Sequence, residues 1–119
     1  MGSLLESCGT AQPFLRASVE SERVLRVDKK DLLSQELALV KHHLLPFPVL
    51  LLKREGRFSA LQMRCTHNDV ALAFTGKKLV CHAHGSEFDL QGKVIREPAV
   101  RPLSTYRTEE TLTSILIHL

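Results

Sequence analysis

The chain has 119 residues, 44% hydrophobic and 24% charged, with a formal net charge of +3. This is the composition of a single soluble globular domain with a modest core, and it argues against a disordered chain. The charge is too small for a nucleic-acid binder, no Lys/Arg run is interleaved with aromatics, and no apolar stretch approaches the ~20 residues of a membrane span.

Residues 1–18 include Pro13 and scattered Gly and Ser without periodicity, predicting an N-terminal tail or extension ahead of one domain over 19–119. Within it, Leu5-Glu6-Ser7-Cys8-Gly9 resembles the end of a bacterial lipoprotein signal, with Cys8 at the lipidated position. Nothing before it forms a basic or an apolar region, so Cys8 is read as an ordinary residue of a cytoplasmic protein. If further sequence precedes Cys8, the alternative is a lipid-anchored or periplasmic protein.

Residues 23–27 predict a strand and 28–31 a polar turn, while the short apolar run 36–40 fits strand or helix. The continuous apolar run 49–52, after Pro46 and Pro48, predicts a buried strand. A hairpin turn follows over 53–57, where Gly56 can take a positive φ, and 58–63 is the return strand that delivers Cys65. Next come a turn at 75–78, a short strand at 79–80 leading into Cys81, and strands at 88–89 and 94–95 flanking a turn at 90–92. Strands at 103–106 and 112–117 around a polar turn at 107–110 close the chain. Short strands at regular intervals predict an all-β fold, an antiparallel β-sandwich or small barrel.

Two short motifs carry chemistry. Cys65-Thr66-His67 is followed, after thirteen residues, by Cys81-His82-Ala83-His84-Gly85-Ser86. Thiolates are soft donors and imidazoles borderline ones, a set that suits zinc or iron–sulfur chemistry. Zinc sites of this composition usually pair Cys with Cys and His with His. Here each motif carries one of each, as a two-iron cluster needs when each loop supplies one ligand to each iron. His82 lies between the second pair and is expected to be exposed and non-coordinating. His42-His43 have no third ligand near in sequence and predict a polar strand end or loop, and His118 carries no signal.

With 81–89, Gly92-Lys93-Val94 and Pro98-Ala99-Val100-Arg101-Pro102-Leu103, these motifs resemble the two cluster-binding boxes and proline loop of Rieske ferredoxin-like proteins. The resemblance runs from about 64 to 103. It implies a Rieske-like fold with a two-loop cluster-binding subdomain and one 2Fe–2S cluster held by Cys65, His67, Cys81 and His84. It also implies that Ser86 donates a hydrogen bond to a cluster sulfide and that the proline loop shields the cluster. Val70 and Ala83 stand where high-potential members carry a bracing Cys pair, and Phe88 stands where they carry a hydroxyl-bearing Tyr. These departures place the chain with the soluble, low-potential branch.

The function implied is an electron carrier rather than an enzyme, exchanging single electrons with a reductase, an oxygenase or another oxidoreductase. A zinc-binding structural module using the same four side chains is the alternative. Residues 53–107 hold ten Lys and Arg against five Asp and Glu, while the rest holds six against eight. The motif-bearing half is thus the basic one, which suits an acidic partner, since such charge sets encounter rate more than affinity.

Overall fold

The computed structural model describes residues 13–34 and 36–119. The lipoprotein-like stretch around Cys8 lies outside them. The chain divides into two compact units, one holding Arg64–Leu103 and the other Phe14–Met63 with Ser104–Leu119.

The second of these is an eight-stranded sheet. Its strands are β1 (Phe14–Arg16), β2 (Ser18–Ser21), β3 (Val24–Asp28), β4 (Leu37–Lys41), β5 (Val49–Arg54) and β6 (Arg57–Gln62), with β11 (Thr105–Glu110) and β12 (Ser114–His118). The spatial order is β1-β4-β5-β6-β11-β12-β3-β2. The two edges belong to one stretch of chain interrupted only by Ala17, so the sheet curls into a nearly closed barrel. Ala17 N–H bridges the gap with a bond to Lys41 O (3.1 Å). Closure leaves little free edge for another chain to pair with.

Strand alternation explains the interior. Leu25 and Val27 of β3, Ala38 and Val40 of β4, Val49 and Leu51 of β5, and Ile115 and Ile117 of β12 form one buried cluster with Phe58 and Ala60. Leu50 and Leu52, on the opposite face of β5, are also buried, which is why that strand reads as an unbroken apolar run.

Three sequence expectations change. Residues 14–18, assigned to the tail, form β1 and the first residue of β2. β1 runs parallel to β4, in an otherwise antiparallel sheet. Residues 107–110 are not a turn but the second half of β11, paired from Arg107↔His118 to Glu110↔Ile115. Their polarity misleads because β11 faces water, and its side chains are satisfied by neighbours: Glu110 meets Lys29 at 2.8 Å and Thr108 Oγ1 donates to Phe58 O at 2.9 Å. The actual reversal comes after Glu110, where Thr111 N–H donates to Ser114 O and Ser114 N–H to Thr111 Oγ1. Of the ambiguous run 36–40, residues 37–40 belong to the strand β4.

The other unit is a four-stranded sheet of two- and three-residue strands in the order β10-β9-β8-β7: β7 (Ala73–Phe74), β8 (Leu79–Val80), β9 (Glu87–Phe88) and β10 (Val94–Arg96). Leu72, Leu79, Phe88, Ala99 and Leu103 are its buried apolar side chains, together with Cys65 and Cys81.

Candidate metal centre

Both motifs sit at the tips of reversals closed in the same way. Cys65 N–H donates to Val70 O at 2.9 Å, and Cys81 N–H to Ser86 O at 2.8 Å, so each Cys opens a six-residue loop tied back by its own backbone. An Arg64↔Ala71 bridge flanks the first loop and a Val80↔Glu87 pair the second. In the second, Gly85 N–H returns to Cys81 O at 2.8 Å with φ +84°. That conformation, rather than lack of space, is what calls for Gly, since nothing lies within 4 Å of where a Cβ would stand.

The loops separate donors by type. Cys65 and Cys81 are both buried. His67 and His84 are exposed and meet edge to face with ring centroids 5.2 Å apart. Burial pushes the Cys65 thiol up, but hydrogen bonds from the N–H groups of Asn68 and His67, the Cys81 thiol and the Ser86 hydroxyl outweigh it, so the group lies below its ordinary pKa. His82 is exposed, as expected.

Two residues that sequence reasoning missed join the loops. Asn68 Nδ2 lies 3.2 Å from His84 Nδ1, and Asn68 Oδ1 faces the Cys81 thiol at 3.9 Å. Arg101 donates from Nη2 to Thr66 O at 3.1 Å while Thr66 Oγ1 donates to Arg101 O at 2.7 Å, a reciprocal clamp between the first loop and the proline-bearing segment. Fully buried Ser86 accepts a bond from Ala99 N–H at 2.9 Å, which anchors the same segment to the second loop. A surface Asn carries no sequence signal for such a role, and Arg101 had only its place in the proline-bearing stretch.

Residues 19–107 match the family model of the Rieske [2Fe-2S] domain. The chain belongs to the Rieske family. It is similar to the plasma-membrane Rieske protein of the cyanobacterium Synechocystis PCC 6803, with 31% identity over 78% of this chain and 99% of that one, at a TM-score of 0.62. Its fold is also that of the ferredoxin of carbazole 1,9a-dioxygenase from Nocardioides aromaticivorans IC177, at 18% identity, 77% and 92% coverage and a TM-score of 0.55. A ferredoxin solved in complex with the oxygenase of carbazole 1,9a-dioxygenase gives 19% identity, 82% and 94% coverage and a TM-score of 0.60. No curated protein matches the chain.

Membership brings one Rieske-type 2Fe–2S cluster, and the donor arrangement fits that group. A buried sulfur pair and an exposed imidazole pair offer one like pair to each iron of a binuclear cluster. Among the described residues, no three His, Cys, Asp or Glu side chains gather closely enough for a single ion, and nothing favours the zinc alternative. No helix among the described residues is long and apolar enough to cross a membrane.

Proposed function

We propose that Cys65 and Cys81 bind one iron of the cluster, that His67 and His84 bind the other, and that the protein is a one-electron carrier without catalytic chemistry of its own. The observation that carries this reading is the separation of donors, with both thiols buried and both imidazoles exposed. The cluster supplies one-electron redox chemistry; the chain supplies its orientation and its electrostatics. Buried thiols keep water from the sulfur end, and the exposed rings of His67 and His84 offer a partner the shortest approach. The Ser86 hydroxyl and the His67 and Asn68 N–H groups place positive dipoles at Cys65 sulfur, where they favour added negative charge. The region over 14–119 acts as one Rieske domain, with 64–103 as its cluster-binding part.

The partner we infer is an oxidoreductase component, a reductase or an oxygenase. Support comes from the fold shared with a ferredoxin solved in complex with an oxygenase and from the basic balance of residues 53–107. Visible and paramagnetic resonance spectra with iron and sulfide analysis of purified protein test the ligand set. Wild type should hold two irons and two labile sulfides, and Cys65→Ser or Cys81→Ser should bleach it, because a serine oxygen replaces a soft thiolate poorly. One zinc with no labile sulfide would overturn the reading.

A further inference from the structure

Within the barrel unit, a cavity of about 290 Å³ opens where β4 runs into the next loop, lined by Arg16, Lys41, His42 and His43 over an apolar floor at residues 45–48. All four polar side chains are cationic or can donate from a ring nitrogen, and no carboxylate lines the cavity. The β1–β4 register makes Arg16 and Lys41 direct cross-strand partners. Like charges so placed, ~5 Å apart along the ladder, destabilise a sheet. Among the described residues neither forms an ion pair that would relieve this.

Each group keeps donors to offer. The Lys41 ammonium sits 4.2 Å over the centroid of the Phe14 ring, a cation–π contact that positions it without using its N–H groups. His42 Nδ1 accepts the Leu44 N–H at 3.1 Å, so in the neutral ring the proton is on Nε2. Burial, then His43 and Arg16, push the His42 pKa down, which keeps it a neutral donor. The His43 ring stacks on it with centroids 4.3 Å apart.

We propose that this cavity is a binding site for a small organic oxyanion, a phosphate monoester or carboxylate whose charge lies between Arg16 and Lys41 and whose apolar substituent rests on the 45–48 floor. Arg is suited to the fork-shaped recognition of either group and Lys to point-charge recognition. The volume is at the low end for a ligand pocket, which limits the substituent to about the size of one ring.

Calorimetric titration of the cluster-loaded protein at constant ionic strength tests the site, with phenyl phosphate, benzoate, inorganic phosphate and benzyl alcohol as probes. Phenyl phosphate or benzoate should bind saturably to one site, the tighter of the two telling which anion is preferred. Inorganic phosphate should bind more weakly and benzyl alcohol not at all. Arg16→Gln and Lys41→Gln should each weaken binding about tenfold, the size of one charge-assisted hydrogen bond, while the exposed Lys93→Gln should not change it. Both side chains are exposed, so these variants keep the fold. Absence of saturable binding by both organic anions, or equal binding by wild type and both variants, would overturn the proposal.

Discussion

Ser86 is fully buried; its hydroxyl accepts the Ala99 N–H and also helps to hold the Cys65 pKa down, as a donor directed at that sulfur does. Its removal should therefore be read in two ways. Ser86→Ala deletes a donor that matters more to the reduced, more negative site, and the midpoint potential should fall by about 20–65 mV, one hydrogen bond's worth for a one-electron couple. The same change strands the buried Ala99 N–H, and urea unfolding should show a loss of about 1–3 kcal/mol. The wild-type midpoint itself should lie in the lower part of the Rieske range, on the order of −150 to 0 mV. Phe88 is fully buried and has no hydroxyl to donate, and Val70 and Ala83 cannot form a disulfide. Protein-film voltammetry of wild type and Ser86→Ala checks both numbers; a midpoint near the top of the range would remove the low-potential assignment.

At the level of elements, the β5–β6 hairpin shows how a local signal controls register. Strand pairing runs to Arg54↔Arg57, leaving Glu55 and Gly56 as a two-residue turn with φ of +53° and +80°. Both values are those a type I′ turn requires. Gly56→Ala meets no steric neighbour, so its cost is conformational, about 1–2 kcal/mol, measurable as a lowered urea midpoint with unchanged slope. A second element-level effect joins the entry to β8 with β9. Lys78 Nζ lies 2.7 Å from Glu87 Oε1 and Arg96 Nη1 3.6 Å from Oε2. The Lys78 hydrogen bond holds the Glu87 carboxyl below its ordinary 4.5. Its folded-state pKa is depressed, so the unfolded chain binds more protons there in acid. The stabilisation is present above about pH 4.5 and is lost as pH falls through the folded-state value. Glu87→Gln should flatten the acid limb of a stability–pH curve and leave neutral pH dependence unchanged; an acid limb identical to wild type would show the pair to be inert.

Across the whole molecule, the two units are stabilised by different means. The barrel has a twelve-residue apolar cluster inside a nearly closed sheet. The Arg64–Leu103 unit is built on strands of two and three residues, too short to be stable by pairing alone, and its loops carry the proposed ligands. Cluster ligation therefore couples to the order of that unit. Removing iron with a chelator should cost amide-exchange protection at Cys65, Cys81 and Gly85 while Leu50, Leu51 and Ile117 keep theirs. Equal loss at both sets would mean that the barrel depends on the cluster as well.

The sequence by itself determined the chemistry and most reversals. Cys65, His67, Cys81 and His84, the ligands we propose, stand out in the sequence because loop-borne ligands must lie close together in the chain, and spacing records that directly. Gly56 marked its hairpin for a similar reason, since a positive φ is a property of one residue and its neighbours. The all-β class followed from short apolar runs between turns. Only the tertiary structure decided which strand lies beside which. β1 looked like tail because three residues have no pattern, and it becomes a strand only when β4 supplies its partner. The polar second half of β11 is held by the ladder to β12 rather than by burial, so its composition pointed to a turn. The Thr66–Arg101 clamp joins residues 35 apart, and the Arg16–Lys41 pair exists only through strand register. Such contacts depend on where the chain returns in space, and composition and spacing carry no record of that.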